Sequence, residues 1–281
     1  MHNNDDSQEE AMKAQSSNTD PHSAPWALIT GASSGLGAIF SRIAAESGLV
    51  PVIVARREDA LRSVAEQIRT ATGCEAIVRA ADLSDPQSVY RLADDLLSER
   101  GTPAVLVNNA GFGAFGSMLE EDEAVFERMI SLNAATPLRL SLRIGRAMRA
   151  AGGGRILNVA STAAFQPCPY LGVYGATKAF LLSVSEALAQ ELDGSGVTVT
   201  ALCPGPTRTN FGTAAGLQAD SPFDRYAADA EAVARFGWQA MMKGKPVAVE
   251  GTLNRIGALA AQLAPRAFVR RIAAKLLVRM Q

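Results

Sequence analysis

A tyrosine and a lysine at helical spacing are the first residues in this sequence that could do chemistry together. Tyr174 and Lys178 are four residues apart in a stretch with helical periodicity, so their side chains lie on one face of the predicted helix. A phenol with a pKa of about 10 is a poor base at neutral pH, but an adjacent ammonium favours the phenolate. Tyr174 is therefore a candidate acid or base. A tyrosine packed against a lysine stem is the alternative interpretation, because this spacing alone is common.

Ser161 is a candidate partner for this pair. It ends the predicted strand Arg155–Ala160, and ligands of open α/β sheets bind at the carboxyl ends of strands. A hydroxyl there can hydrogen-bond a carbonyl oxygen and the alkoxide that develops from it. Ser161 could instead cap a helix, since Thr-Ala-Ala follows it. Its position before Tyr174 in the chain favours the catalytic interpretation.

A glycine-rich turn directly follows the first predicted strand, Trp26–Thr30, and precedes a helical pattern over Ala38–Glu46. Glycines let the backbone approach a pyrophosphate, and the free N–H groups and positive end of the next helix attract the anion. The spacing G-x-x-x-G-x-G is a variant of the dinucleotide fingerprint, and the order strand, turn, helix separates it from a simple chain reversal. The predicted phosphate-binding residues are Gly31, Ser33, Ser34, Gly35, Leu36 and Gly37.

The end of the second predicted strand, Pro51–Ala55, indicates which dinucleotide binds. At this place an acid accepts from the ribose hydroxyls of NAD, whereas a basic residue suits the 2′-phosphate of NADP. Arg56 and Arg57 stand there with no carboxylate, and guanidinium groups pair with phosphate through charge-assisted hydrogen bonds. The sequence therefore favours NADP(H) over NAD(H). In the alternative, the arginines are solvated against Glu58 and Asp59.

Short apolar runs alternate with helical patterns along the chain, as a parallel sheet with crossover helices requires. We predict an α/β fold, a Rossmann-type doubly wound parallel sheet in a single domain. The predicted strands are Trp26–Thr30, Pro51–Ala55, Ala76–Arg79, Ala104–Val107, Arg155–Ala160 and Val197–Cys203, with a seventh short strand at Pro246–Val249. Further predicted helices cover Leu61–Thr70, Val89–Ser98, Val125–Arg149 and Val173–Leu192.

The two ends of the chain differ from its middle. Residues 1–24 are polar and are predicted to be a disordered tail, while 25–264 form the dinucleotide-binding catalytic domain. Residues 265–281 are predicted to form a basic amphipathic helix with Phe268, Val269, Ile272 and Leu276 on its apolar face. That face packs on the body or on a second subunit in the favoured interpretation, and peripheral membrane contact is the alternative.

Composition narrows the class of partner. The formal net charge of −1 gives no global attraction to nucleic acid, so a small-molecule ligand is expected and no nucleic-acid partner. Cys74, Cys168 and Cys203 are an odd number with wide spacing, which fits neither a disulfide framework nor a zinc site. We expect no metal and a cytoplasmic location. There is no secretory h-region and no apolar run long enough to span a membrane.

Taken in order, these motifs resemble those of the short-chain dehydrogenases/reductases. The matching segments are Thr30–Gly37, Asn108-Asn-Ala-Gly111, Asn133, Ser161, Tyr174-Gly-Ala-Thr-Lys178 and Pro204-Gly-Pro-Thr207. The resemblance covers residues 26 to about 210. The Ala55–Glu58 stretch and the basic tail are similar to a bacterial NADP-type branch with mostly unassigned substrates.

The resemblance implies a role for each matched residue. It implies that Tyr174 is the acid/base, that Lys178 binds the ribose hydroxyls and lowers the tyrosine pKa, and that Ser161 binds the substrate oxygen. It assigns a proton-relay water to Asn133, an amide within a helical pattern that does not favour one. It implies a homodimer or homotetramer. It further places in the cofactor site Asp82 and Leu83 (adenine), Asn109, Ala110 and Gly111 (adenosine ribose), and Pro204, Gly205 and Thr207 (nicotinamide).

The predicted function is NADP(H)-dependent interconversion of a carbonyl and an alcohol, in the reductive direction, with Tyr174 as proton donor. A hydrolase with Ser161 as nucleophile lacks a base, since the only histidines are His2 and His22. A non-catalytic NADP-binding regulatory or scaffold protein is the alternative. Two loops past the strand ends indicate an apolar substrate pocket, with local packing as the alternative; their apolar side chains are Phe165, Pro167, Tyr170, Phe211, Leu217 and Phe223.

Overall fold

Seven short strands and ten helices alternate in the computed structural model, which describes residues 24–216 and 227–278. The strands are β1 (Trp26–Thr30), β2 (Val50–Ala55), β3 (Ile77–Ala80), β4 (Val105–Asn108), β5 (Gly154–Val159), β6 (Val197–Cys203) and β7 (Val247–Val249). Three segments lie outside the described residues: most of the predicted tail, the part of the predicted loop 210–226 that contains Leu217 and Phe223, and residues 279–281.

The helices begin with α1 (Gly35–Glu46), α2 (Glu58–Thr72), α3 (Pro86–Arg100) and α4 (Glu123–Ile130). They continue with α5 (Thr136–Ala150), α6 (Gly172–Glu191), the short α7 (Phe211–Ala214), α8 (Ala230–Met242), α9 (Thr252–Leu263) and α10 (Arg266–Val278). A π-helical turn, Ser131–Ala135, joins α4 to α5, and a 3-10 helix, Thr162–Phe165, follows β5. The sequence pattern does not predict α7, α8 or α9. It predicts one continuous helix where the structure has α4, the π turn and α5.

The strands form one parallel sheet in the order β3-β2-β1-β4-β5-β6-β7. The strand order reverses between β1 and β4, so the crossover connections on the two sides of that point run in opposite directions. A crevice opens there beyond the carboxyl ends of the strands, which is where open α/β sheets bind ligands. The predicted doubly wound Rossmann-type fold is confirmed.

The sheet is covered by helices on both faces, which explains why its strands are apolar throughout. Along β1, Ala27 and Ile29 pack into the core on one face, with Phe40 of α1. Trp26 and Leu28 point to the opposite core, with Leu140 of α5. All five residues of β1 are buried, as expected for a central strand between two helical layers. Within the described residues, no helix is both long and apolar enough to cross a membrane.

Candidate active site

Lys178 is buried in the second turn of α6, with only 5% of its surface exposed. Its Nζ donates a hydrogen bond of 2.7 Å to the backbone carbonyl of Val159, the last residue of β5. The same nitrogen lies 5.7 Å from the centroid of the Tyr174 ring. Burial lowers the pKa of Lys178 to about 8, because the ammonium loses its hydration. The contact with Val159 fixes the lysine beside the tyrosine, as their spacing predicts.

Tyr174 lies one turn earlier on α6 and is half-buried. Burial raises the pKa of Tyr174 to about 12, and a hydrogen bond with the Ser161 side chain opposes this rise. From the sequence alone we expect the neighbouring ammonium to favour the phenolate. The groups of the protein by themselves have the opposite net effect, because loss of hydration dominates. Tyr174 therefore keeps its proton at neutral pH.

Ser161 follows the last residues of β5, where it caps a helix and also contacts Tyr174. Its Oγ accepts a hydrogen bond of 3.1 Å from the backbone N–H of Ala163 and so caps the 3-10 helix. The same hydroxyl is the hydrogen-bond partner of Tyr174. The cap holds the serine side chain in place at the carboxyl end of the sheet.

Asn133 lies inside the π-helical turn between α4 and α5 and is 1% exposed. Its Oδ1 accepts from the backbone N–H of Phe112 at 3.0 Å, and its Nδ2 donates to the carbonyl of Phe112 at 2.7 Å. Nδ2 also lies 3.3 Å from Oγ1 of Thr177, the neighbour of Lys178. Single π turns are frequent at functional sites, and this one points an amide at the loop after β4.

The glycine turn before α1 has no space for larger side chains. A Cβ on Gly37 would lie 2.2 Å from the carbonyl oxygen of Gly31. Asn109 fills the remaining space, since its Nδ2 donates to the carbonyls of Thr30 and Gly31 at 3.0 and 3.1 Å. Ser34 precedes α1 and makes no side-chain capping bond, so the N-terminal N–H groups of the helix have no side-chain cap. Gly37 and Asn109 shape the turn.

A cleft of about 400 Å³ extends from this turn across the ends of β1 to β4. From the predicted cofactor residues it is lined by Gly31, Ser33, Ser34, Arg56, Arg57, Asp82, Leu83, Ala110 and Gly111. Gly35 lines a neighbouring depression of about 470 Å³, whereas Leu36 packs against the core. Glycines at the turn, a helix N-terminus and basic side chains at the rim fit a dinucleotide phosphate.

Two polar lining residues, Ser84 and Arg128, are absent from the sequence prediction. Ser84 hydrogen-bonds the Asp82 carboxylate through both its N–H and its hydroxyl, which lowers the pKa of Asp82, and nearby Arg56 lowers it further. Arg128 comes from α4, and no local motif marks it in the sequence. Only the packing of α4 beside the cleft brings its guanidinium to the rim.

Arg56 and Arg57 are both exposed at the end of β2. In the described part of the chain neither forms an ion pair with Glu58, whose carboxylate instead accepts from Arg62 one turn later in α2. Both arginines line the cleft.

The predicted nicotinamide loop lies beside the candidate catalytic side chains. The carbonyl of Pro204 accepts from the backbone N–H of Thr162 at 2.9 Å, next to Ser161. Thr207 folds back so that its Oγ1 donates to the carbonyl of Gly205 at 3.0 Å. A Cβ on Gly205 would lie 2.5 Å from Nδ2 of Asn254 in α9, so a larger residue would not fit there.

Two aromatic pairs lie in this part of the molecule, and one of them includes Tyr174. The rings of Tyr174 and Phe211 are 5.3 Å apart, and those of Phe115 and Tyr170 are 6.2 Å apart. Backbone hydrogen bonds of 2.9 Å join the segments that carry these rings. The N–H of Phe115 donates to the carbonyl of Ala215, and the N–H of Gly116 donates to the carbonyl of Tyr170. Phe165 packs instead against the core cluster under the 3-10 helix.

A parallel sheet with a glycine turn, a cleft at its switch point and a Ser-Tyr-Lys cluster defines a dinucleotide-binding α/β protein. The sequence matches the family model described as short chain dehydrogenase over residues 25–220. The chain belongs to the short-chain dehydrogenase/reductase family, as its motifs predict.

Individual relatives agree with this assignment. "Probable oxidoreductase EphD" of Mycobacterium tuberculosis strain H37Rv is 34% identical over 192 residues, which are 68% of this chain and 32% of that protein. The chain thus matches about a third of the length of the curated relatives of this name.

Three solved structures share the fold. A short-chain dehydrogenase of Sphingobium yanoikuyae in complex with NADPH has a TM-score of 0.76 and 31% identity, covering 84% of this chain and 92% of that one. A bulky-bulky ketone specific alcohol dehydrogenase of Comamonas testosteroni has a TM-score of 0.71 and 27% identity, covering 86% of this chain and 96% of that one. A short-chain dehydrogenase/reductase of Burkholderia phymatum in complex with NAD has a TM-score of 0.76 and 25% identity, covering 86% of this chain and 94% of that one.

Proposed function

We propose that this protein is an NADP(H)-dependent oxidoreductase that reduces a carbonyl to an alcohol, with Tyr174 as proton donor. The observation that carries the proposal is the cluster in which Ser161 is the hydrogen-bond partner of Tyr174 and Nζ of the buried Lys178 lies 5.7 Å from the centroid of the tyrosine ring. A neutral phenol in this position can donate the proton that reduction requires.

Ser161, Tyr174 and Lys178 have separate roles in the proposed reaction. The Ser161 hydroxyl donates a hydrogen bond to the carbonyl oxygen of the substrate and polarises it. The residues that line the cleft would hold a nicotinamide cofactor, which would supply the hydride for the carbonyl carbon. Tyr174 gives its proton to the oxygen, so that the C=O bond becomes CH–OH and the tyrosine becomes a phenolate. Lys178 binds the ribose hydroxyls and, when protonated, stabilises that phenolate.

Asn133 and the loop after β4 support this arrangement. We assign to Asn133 the relay water through which Tyr174 is reprotonated, because Asn133 reaches the loop at Phe112 and the hydroxyl of Thr177. A Cβ on Gly111 would lie 3.0 Å from Asn133 Oδ1 and 3.6 Å from Lys178 Nζ. The absence of a side chain at Gly111 keeps these two groups close together.

The cofactor preference for NADP(H) is proposed from the charge at the cleft. Arg56, Arg57 and Arg128 bring three guanidinium groups to its rim. Asp82 lies on the same rim, but its carboxylate is engaged by Ser84, so it does not neutralise all of them. Arginine suits a 2′-phosphate through charge-assisted hydrogen bonds. The related structures contain either NADPH or NAD, so the preference rests on these side chains.

The substrate is proposed to be a bulky apolar ketone or aldehyde. Phe211, Phe115 and Tyr170 offer aromatic surface around Tyr174, and the backbone hydrogen bonds between their loops hold them together. Tyr170 has a φ of 67°, an uncommon conformation for a non-glycine residue, and such strain clusters at functional sites. The Comamonas testosteroni relative is named for bulky-bulky ketones.

The direct test is the Tyr174→Phe variant, assayed by NADPH oxidation with a panel of bulky ketones. We expect kcat to fall at least about 100-fold, since a positioned acid contributes roughly 10² to 10⁴. NADPH affinity, measured by titration calorimetry, should stay within about threefold, because the phenol hydroxyl does not carry the cofactor.

Tyr90→Phe is the matched control, because Tyr90 lies on α3 and contacts Arg143 outside the site. It removes the same hydroxyl and should leave kcat unchanged. Unchanged turnover in Tyr174→Phe would contradict the mechanism. Tight NADPH binding without turnover in the wild type would favour the non-catalytic alternative.

A further inference from the structure

The last two helices carry an apolar surface that the rest of the described chain leaves uncovered. Leu253 and Leu263 at the two ends of α9 are 85% and 79% exposed, which is far above the exposure of a packed leucine. We call this the C-terminal apolar surface, and its members are Leu253, Ile256, Leu259, Leu263, Phe268 and Ile272.

Helix α10 is only partly packed on the body. Val269 and Ala273 are buried and hold the helix against the protein. Phe268 and Ile272 flank them on the helix and remain 59% and 43% exposed. The body thus covers one part of the apolar arc of α10 and leaves the adjacent part open, so the intramolecular packing expected for this helix is incomplete.

The charged side chains within the last two helices all have one sign, and Glu250 precedes α9 by two residues. Between residue 251 and the end of the chain there is no aspartate or glutamate. The same segment contains six basic residues, namely Arg255, Arg266, Arg270, Arg271, Lys275 and Arg279. Arg271 and Lys275 lie next to Phe268 and Ile272 on the helical wheel, which gives an apolar strip with a basic border.

We propose that the C-terminal apolar surface docks on an anionic lipid bilayer, with α10 lying in the plane of the interface. Exposed apolar side chains enter the headgroup region, and the bordering lysine and arginine side chains pair with lipid phosphates. No helix in the described residues can cross a bilayer, so this contact is peripheral.

The same charges argue against a second copy of this chain as the occupant. A two-fold contact places the same patch on both partners, so the bases of one would face the bases of the other. The segment has no carboxylate to pair with them. Anionic lipid supplies the missing negative charge together with an apolar phase.

The surface begins beside the proposed active site. Asn254 in the first turn of α9 reaches Gly205 in the nicotinamide loop, and α9 packs against the 3-10 helix that Ser161 caps. Leu253, the neighbour of Asn254, is the most exposed member of the surface. A bilayer bound to this surface therefore lies on the same side of the molecule as the contact between α9 and the proposed active site. The docking itself does not depend on the proposed reaction.

The test is co-sedimentation of the full chain with vesicles of phosphatidylcholine containing about 30% phosphatidylglycerol, at about 0.1 M salt. We expect binding to these vesicles and at least about tenfold weaker binding to pure phosphatidylcholine. Two variants separate the contributions. Arg271→Glu with Lys275→Glu, and Phe268→Ser with Ile272→Ser, should each weaken binding at least about tenfold.

A matched control reverses the same number of charges elsewhere. Arg91→Glu with Arg149→Glu alters two exposed residues on α3 and α5 and should leave vesicle binding unchanged. All changed side chains are exposed, and NADPH affinity reports that each variant is folded.

Failure of the intact protein to bind anionic vesicles would overturn the proposal. So would wild-type binding by both α10 variants. If Phe268→Ser with Ile272→Ser instead lowers the oligomer mass in sedimentation velocity and vesicle binding is absent, the surface is a contact between copies and the proposal is wrong.

Discussion

The pKa values of Lys178 and Tyr174 depend more on burial than on neighbouring charges. Lys178 and Tyr174 are adjacent, yet the lysine pKa falls to about 8 and the tyrosine pKa rises to about 12. Both shifts favour the neutral form, as expected when ionisable groups lose hydration. A neutral phenol suits a proton donor, and this links the residue scale to the proposed reductive direction.

The Lys178 shift predicts a pH dependence of stability. The folded pKa of about 8 lies below the unfolded value of 10.5, so the unfolded chain binds more protons between these values. Lys178 should therefore contribute a rise in the free energy of unfolding of about 2 kcal/mol between about pH 8 and pH 10. Burial raises the pKa of Cys168 and Cys203, whose ionisation in the unfolded chain opposes this rise, so the contribution is the difference in pH dependence between wild type and Lys178→Met, measured by denaturant unfolding.

The exposed Lys243 provides the control for that measurement. Lys243→Met should reproduce the wild-type pH dependence, because this side chain is exposed on the surface. The wild-type pH dependence in Lys178→Met would mean that Lys178 makes no such contribution.

Arg56 and Arg57 predict the cofactor preference at the same scale. The double variant Arg56→Ala with Arg57→Ala should raise KM for NADPH at least about tenfold, because each lost charge-assisted bond costs roughly 1.5 to 3 kcal/mol. KM for NADH should change less than about twofold, as NADH has no 2′-phosphate. Steady-state kinetics with both cofactors decides this.

Arg62 serves as control, since it is exposed on α2 and pairs with Glu58. Arg62→Ala should leave both KM values unchanged. An equal rise for NADPH and NADH in the Arg56/Arg57 variant would refute the assignment of these side chains to the 2′-phosphate.

At the scale of elements, the site depends on two local departures from regular structure. The π turn Ser131–Ala135 turns Asn133 towards Phe112, and the glycine turn brings Gly31 against α1. The sequence marks the glycine turn through its spacing. It does not mark the π turn, because a single wide turn leaves the helical periodicity of α4 and α5 almost unchanged.

The close approach at Gly37 predicts loss of cofactor binding in Gly37→Ala. The added Cβ would lie 2.2 Å from the Gly31 carbonyl oxygen and 2.6 Å from Asn109 Nδ2, so the turn must move. Overpacking of this kind costs roughly 1 to 3 kcal/mol, and we expect NADPH affinity to fall about tenfold or more by titration calorimetry.

The same substitution at Gly257 in α9 meets no atom within 4 Å. Gly257→Ala should therefore keep NADPH affinity and gain up to about 1 kcal/mol of stability from helix propensity. Unchanged NADPH binding in Gly37→Ala would show that the turn is not the phosphate site.

At the scale of the whole molecule, we predict from exposed apolar residues that α4 and α6 would form the contact if copies of the chain associate. Ile130 and Phe180 are 50% and 42% exposed, and these two helices pack together. We expect Phe180→Asp to lower the oligomer mass in sedimentation velocity, because a charge buried in an interface without a partner is costly.

Phe268→Asp makes the same change in α10, on the surface proposed to meet lipid. It should leave the oligomer mass unchanged while weakening vesicle binding. Wild-type mass in Phe180→Asp would place the subunit interface elsewhere.

The sequence by itself determined the parts of this protein that depend on local order. Apolar runs and their alternation predicted the doubly wound sheet, since a strand covered on both faces must be apolar throughout. The glycine spacing after β1 and the four-residue spacing of Tyr174 and Lys178 identified the candidate site. Each of these signals lies within one element or one connection.

Only the tertiary structure decided properties that arise between distant segments. Packing of α4 brings Arg128 to the cleft, and burial against the end of β5 lowers the pKa of Lys178. The extent to which α10 packs is likewise a tertiary property, since Val269 is buried and its neighbour Phe268 is exposed. Hydration and contact depend on which elements meet, and a pattern read along one segment does not contain that information.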